Sequence, residues 1–127
     1  SDTSMIRRSG YSGSDSVIAI FGGATRRGVW HARRRIAAGA LFGGVELDFT
    51  EATFEDAVCE LDCFVMFGGV EAMVPEGVNV RNEVFALFGG SDVKRLAPPD
   101  PAKPTIVLKG FCLFGGVEAK GPKPRRR

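Results

Sequence analysis

Several chemistries lack the residues they would need. Histidine occurs once, as His31 in Trp30-His31-Ala32-Arg33. No Gly-x-Ser-x-Gly elbow and no Asp at a readable spacing accompany it, so no Ser-His-Asp constellation can be assembled from the sequence. A lone His beside Trp reads as a structural or surface residue. Cysteine occurs three times, at Cys59, Cys63 and Cys112. An odd count in a chain too large to need staples argues for a reducing compartment and buried free thiols. Cys59-x-x-x-Cys63 with Cys112 and His31 fits no standard zinc spacing. No Gly pair is followed by Lys-Ser/Thr or opens a helical pattern, which leaves no phosphate loop. No apolar run approaches the ~18 residues that span a bilayer; the longest, Ile36–Val45, contains three glycines. The N-terminus lacks a basic segment followed by an apolar one, so no secretory signal is expected. Two origins fit that N-terminus: a native start at Met5 behind a short cloning remnant, or a soluble piece of a longer membrane protein.

Charge is scarce in net terms but unevenly placed. The 127 residues sum to +2. Residues 1–35 carry seven Arg against Asp2 and Asp15, whereas residues 45–100 carry three basic and twelve acidic side chains. Residues 101–127 carry seven basic residues against Glu118. Such polarity can steer a partner or a second copy of the chain; the plainer reading is a solvated surface with basic tails. Arg26-Arg27, Arg33-Arg34-Arg35 and Arg125-Arg126-Arg127 are the basic clusters. The acidic middle argues against a broad phosphate-binding surface, so no nucleic acid partner is expected. An anionic membrane surface, met by the basic termini, suits the clusters better.

Glycine is abundant and periodic. Ten of the 17 glycines fall in five Phe-Gly-Gly copies, at Phe21, Phe42, Phe67, Phe88 and Phe114, spaced 21, 25, 21 and 26 residues apart. Regular spacing points to a repeat architecture rather than a linker. The residue before each Phe is Ile20, Leu41, Met66, Leu87 or Leu113, and two before it stands Ala19, Ala40, Val65, Ala86 or Cys112. Three before it are Ile18, Gly39, Phe64, Phe85 and Phe111; three after it are Ala24, Val45, Val70, Ser91 and Val117. The first copy (Ala24-Thr25) and the fourth (Ser91-Asp92) depart most from the pattern.

Runs of four to six apolar residues bounded by Gly read as strands buried on both faces. Strict alternation across the Gly pair would put each Phe on the same face as the acid four residues on. A corner at Gly22, Gly43, Gly68, Gly89 and Gly115 resolves the conflict, because Gly tolerates φ > 0 and close backbone approach. The preferred expectation is a corner that turns each Phe inward, where Phe67→Ala would cost ~3–5 kcal/mol. The alternative is a Phe row facing outward and covered by a second chain.

Connectors of 18, 22, 18 and 23 residues separate the Gly pairs from the next Phe. Alternate lengths suggest a paired repeat of about 46 residues. Each connector has room for one more strand, with Val29–Ala32, Phe54–Leu61, Val78–Val80 and Thr105–Leu108 as candidates. Pro75-Glu76-Gly77 and Ala97-Pro98-Pro99-Asp100-Pro101 supply turns. Thr50–Asp62 also shows helical spacing at Phe54, Ala57, Val58 and Leu61, but the repeat context favours a strand. A coil of ~20–25 residues with short strands matches a β-solenoid, whose rungs stack at ~4.8 Å and align equivalent residues into ladders. The first and last rungs then need caps. The expected fold is therefore an all-β, single-domain, right-handed β-helix-like solenoid over residues 17–121. A flexible arm (1–16) precedes it and a basic tail (122–127) follows.

One ladder would be acidic: Glu46, Glu71, Asp92 and Glu118. Stacked carboxylates repel, so they need a cation, basic neighbours or open water. Calcium is conceivable with oxygen ligands; screening by Lys94 and Lys120 is the simpler expectation. No cofactor or metal is expected.

The run Ala-Leu-Phe-Gly-Gly-Val-Glu-Leu-Asp-Phe-Thr-Glu-Ala (Ala40–Ala52) carries a resemblance. So do Val-Met-Phe-Gly-Gly-Val-Glu-Ala-Met-Val-Pro-Glu-Gly-Val (Val65–Val78) and Phe-Cys-Leu-Phe-Gly-Gly-Val-Glu (Phe111–Glu118). Together, over residues 17–121, they resemble the C-terminal domain of LiaF-like cell wall-active antibiotics response proteins. They are also similar to the same module in actinobacterial proteins, where it follows a small helical domain or membrane helices. The resemblance implies a β-solenoid-like "toast-rack" domain. It further implies a non-catalytic regulatory or protein-interaction module of a bacterial cell-envelope stress response, modulating a membrane sensor or self-assembling. It implies a cytoplasmic location at the membrane face and no catalytic residues. An envelope lipid- or glycan-binding module is the alternative.

Overall fold

The computed structural model describes residues 14–94, 96 and 98–122. The basic tail beyond Pro122 and most of the expected arm lie outside the described residues; Ser14–Ser16 already belong to the first strand. Of the described residues 74% are in strands and none is helical, which makes the fold all-β. Five long strands carry the repeats: β1 (Ser14–Arg26), β3 (Arg35–Asp48), β5 (Val58–Met73), β6 (Asn79–Lys94) and β7 (Thr105–Lys120). Two short ones, β2 (His31–Ala32) and β4 (Thr53–Phe54), pair with each other.

Three of the four expected connector strands are not separate elements. Phe54–Leu61 is split between β4 and the start of β5, while Val78–Val80 and Thr105–Leu108 run into β6 and β7. Only Val29–Ala32 yields a separate strand, β2. Thr50–Asp62 does not form the helix its spacing allows. Thr53 N–H donates to the Trp30 carbonyl and Glu55 N–H to that of Ala32, so the neighbouring connector holds this backbone extended.

The long strands form one five-stranded parallel sheet in the order β1-β3-β5-β7-β6. Register follows the repeat. Phe21, Phe42, Phe67, Phe114 and Phe88 are direct neighbours, as are the glycines that follow them. Spatial order departs from chain order once, because β7 inserts between β5 and β6. The fourth copy is therefore an edge and the fifth is internal, whereas stacking in chain order would have left the fifth at the end.

Each long strand must bend. A straight strand of 16 residues would run roughly 50 Å at about 3.3 Å per residue. Yet the end of β5 at Met73 reaches the start of β6 at Asn79 through a stretch that spans at most about 20 Å. Both arms of every strand bury their inward side chains in one cluster, from Ile36 and Leu61 on one arm to Val45, Leu47, Val70 and Ala72 on the other. Phe49 closes the far side of that cluster, fully buried against Trp30 and Phe54 at ring distances of 5.1 and 5.7 Å. The Trp30 indole N–H donates to the Asp48 carbonyl at 2.8 Å, so its one polar group is satisfied.

The two edges are closed by polar pairs. The inward row containing Ile36, Leu61 and Leu108, all fully buried, ends in Asp15 on β1 and Asn82 on β6. Asp15 accepts from Arg26 at 2.8 Å, and Arg26 also lies over the Trp30 ring. Asn82 donates to Ser91 Oγ at 3.0 Å. Terminal repeats need such polar closures, since nothing stacks beyond them.

Candidate interaction face

The phenylalanines of the repeat lie outside, and the expected inward Phe is overturned. The five rings are between 41% and 78% exposed, Phe21 the most. The physical reason is visible on β5. Cys59, Leu61, Cys63 and Val65 are buried, and the next buried residues are Val70 and Ala72. A step of five between Val65 and Val70 reverses the alternation, so the strand turns its other edge inward after the Gly pair. Inside the corner the space is taken by the small buried row Ala19, Ala40, Val65 and Cys112. That leaves no depth for a ring.

The glycines make this corner possible. Gly43 and Gly68 have φ of +146° and +137°, and a Cβ on either would sit 1.7 Å from the carbonyl oxygen of the preceding glycine in the row, Gly22 or Gly43. Only Gly allows backbones to stack that closely with φ > 0. Gly115 continues the row with φ +145°; Gly89 stacks as closely on Gly115 but without the left-handed φ expected of a corner, and Gly22 opens the row at the β1 edge with nothing above it.

Outside, the rings form a continuous ladder. Successive centroids from Phe21 through Phe42, Phe67 and Phe114 to Phe88 are 5.3, 5.1, 5.1 and 5.0 Å apart, with ring planes within 8°. Parallel in-register strands about 4.8 Å apart impose this stacking. A second ladder runs three residues upstream, Phe64–Phe111–Phe85, at 6.0 and 6.1 Å. Ile18 and Gly39 occupy its remaining two places. Exposed Ile20 and Leu87, with half-buried Leu41, Met66 and Leu113, fill the row between. The sequence shows this second aromatic row at the repeat's third upstream position; plain alternation exposes it, since Phe64 stands between buried Cys63 and Val65.

At Gly39 the upstream ladder has a gap. An apolar cleft of about 400 Å³ opens there, lined by Ile18, Ile20, Leu41 and Phe64 among others. A Cβ on Gly39 would meet only ordinary contacts, at 3.8 and 3.9 Å, and its φ is unexceptional. The gap is a missing side chain rather than a backbone requirement.

Charged rows border the apolar band. On the upstream side Glu60 pairs with Arg35 at 3.3 Å and Lys109 at 2.9 Å. The Lys109 hydrogen bond holds the Glu60 carboxyl below its usual range, while burial, followed by the Glu60 charge, pushes Asp62 up. On the downstream side the acidic ladder forms as the repeat implies, in the order Glu46, Glu71, Glu118, Asp92. Lys120 pairs with Glu71 at 2.6 Å, and Lys94 with Glu118 at 3.1 Å and Asp92 at 3.9 Å. Basic neighbours thus answer the repulsion at Glu71, Glu118 and Asp92. A groove of about 830 Å³ runs between these acids and the glycine backbone. Among the described residues no three His, Cys, Asp or Glu side chains converge to hold a metal ion.

The remaining sequence candidates are dispersed. His31 is exposed on β2. Cys59, Cys63 and Cys112 are buried free thiols on the inward face. Burial, helped by the Glu55 charge at Cys59 and by Asp62 at Cys63, pushes both thiols up to about 12. They are core residues and not nucleophiles. Among the described residues no helix is long and apolar enough to cross a membrane.

The chain is similar to two uncharacterised proteins of Mycobacterium tuberculosis, from strains CDC 1551 and H37Rv. Each is 30% identical over 115 residues, 89% of this chain. The chain spans 58% of the length of these relatives. It matches no protein-family model and no solved structure.

Proposed function

We propose that this chain is a non-catalytic interaction module whose contact surface is the outward aromatic band, working in a bacterial cell-envelope stress response. The architecture in this reading is a five-rung, right-handed β-solenoid of Phe-Gly-Gly coils, related to the LiaF-like toast-rack domain. The observation that carries it is the exposed double ladder. Monomeric soluble proteins rarely expose a contiguous apolar patch beyond a few hundred Å² unless something binds there. The charged rows on both sides give this band the apolar-centre, polar-rim anatomy of an interface. Buried thiols, an exposed His31 and the lysine pairing of Glu71, Glu118 and Asp92 support the non-catalytic reading. The mycobacterial relatives support a bacterial setting, and the resemblance of the Phe-Gly-Gly-Val-Glu runs to LiaF-like domains supports an envelope role with the chain at the cytoplasmic membrane face.

The test is genetic and quantitative. A mycobacterial strain lacking the homologous gene should change its sensitivity to cell wall-active antibiotics at least twofold. Complementation with the gene for this chain should restore it, and the same gene carrying Phe85→Ser and Phe88→Ser should not. Unchanged sensitivity in the deletion strain would sink the stress-response reading. Full rescue by the double variant would remove the aromatic band from the mechanism.

A second reading draws on the cleft at Gly39, whose apolar lining suits an acyl chain of an envelope lipid. Co-sedimentation with anionic vesicles at low salt tests it; protein that stays in the supernatant counts against it.

A further inference from the structure

We infer that the aromatic band is covered by the same band of a second copy of this chain, forming a closed two-fold dimer. The inference rests on the proposed role of the band as a contact surface and names its partner.

Area is the first argument. The exposed fractions of Phe21, Phe42, Phe64, Phe67, Phe85, Phe88 and Phe114 amount to nearly four whole rings. At 150–250 Å² per ring that is roughly 600–900 Å² of apolar surface. Exposed Ile18, Ile20 and Leu87 add to it. A standard interface buries about 800 Å² per partner, so one band facing another supplies a stable contact.

Chemistry is the second. The three rows of the band hold only Ile, Leu, Met, Phe and Gly. They contain no charge that would select a different, charged partner, and an identical row is complementary to them. The band also holds both a knob and a hole. Phe21, stacked on one ring only at the β1 edge, is the most exposed at 78%, and the cleft of about 400 Å³ at Gly39 is large enough for a ring. A two-fold pairing uses each feature twice.

Closure is the third. In-register growth by adding strands at β1 or β6 would set Asp15–Arg26 or Asn82–Ser91 against another copy's polar edge pair and take both out of water. Burying these polar pairs away from water costs free energy. The edges therefore resist end-on stacking, and the band is left as the apolar surface that can associate. Facing sheets about 10 Å apart allow the two sets of rings to interdigitate.

Sedimentation velocity and light scattering of the full chain, over a hundredfold concentration range, test the dimer. The expected result is a species of twice the 13.6 kDa chain mass with no larger assembly. Gly39→Val fills the cleft in a position the monomer tolerates. It should weaken dimerisation at least tenfold while leaving the melting temperature of the dilute protein within a few degrees of wild type. Phe88→Ser, at the β6 edge and away from the core, should act in the same direction. A monomer at every concentration overturns the inference. So does a dimer that neither variant weakens, or open-ended growth into filaments. Monomer that floats with anionic vesicles would make lipid the occupant and likewise overturn it. A monomer combined with the antibiotic phenotype above would sink the dimer alone and leave the functional reading standing; a dimer without the phenotype would do the reverse.

Discussion

Val65 and Phe67 stand two residues apart on the same strand, both apolar, and the fold sends them opposite ways. Val65 is fully buried and Phe67 is 42% exposed. On a regular strand they would share a face. What separates them is the corner, which reverses the alternation before Val70. The same contrast recurs at the corner of every repeat: a small inward row of Ala, Val and Cys, and rings outside. Apolar content alone does not place a residue in a core. At the glycine corner only small side chains fit inside and the rings are left outside, whereas away from it Leu61 and Phe49 are fully buried.

The sharpest way to break this contrast is at the glycine row. Gly68→Ala should cost more than about 4 kcal/mol, among the exceptional values for single substitutions, because its Cβ would meet the Gly43 carbonyl at 1.7 Å. Gly90→Ala meets nothing within 4 Å and should stay within about 1 kcal/mol, the usual scale of a strand Gly-to-Ala change. Urea midpoints compare the two; equal losses would refute the stacked corner.

Next in size is the inward row. Leu61→Ala should cost ~2–5 kcal/mol as a core truncation. Phe67→Ala, measured at protein concentrations below dimerisation, should cost about 2 kcal/mol, since about half of its burial and two ring contacts are lost. A Phe67→Ala loss equal to or larger than that of Leu61→Ala would return the ring to the core.

The buried thiols give a pH signature of the interior. Folded Cys59 and Cys63 ionise near 12, above the ordinary 9.0. A folded value raised above the unfolded one means that their contribution is complete below pH 9 and fades as pH climbs from 9 towards 12. Each thiol removes up to about 1.4 kcal/mol per pH unit in that window. Replacing both with Ala should flatten the alkaline arm of the stability curve relative to wild type. An unchanged slope would place the thiols at the surface.

The last contrast concerns the edge. Arg26→Met leaves the Asp15 carboxylate largely buried and without its ion pair, costing about 1–3 kcal/mol. Asp15→Ile combined with Arg26→Leu should recover most of that and allow end-on oligomers, visible as a rising sedimentation coefficient. No recovery in the double variant would mean that the pair does more than close the core.

Much of this was legible in the residues. Equivalent positions recur with equivalent chemistry because parallel in-register strands bring them together, so the Phe row, the acidic row and its lysine neighbours could all be read from spacing. Even the edges left a mark. The first and fourth copies depart most from the pattern, and they are the two strands with a neighbour on one side only. Their Asp15, Arg26, Asn82 and Ser91 stand where internal copies have aliphatic residues.

Sequence by itself thus determined an all-β chain with a periodic corner, because a Gly pair in every copy is a local conformational demand. It also determined which rows would meet, since register follows from repetition. Tertiary structure alone decided three things. The phase reversal at the glycines sent the rings outward, and alternation counted along a strand cannot report on a bend. The insertion of β7 between β5 and β6 made the fourth copy an edge, a choice that depends on which strand best tolerates exposure. The depth of the interior, set by how closely the glycine backbones stack, left room for Val65 and none for Phe67.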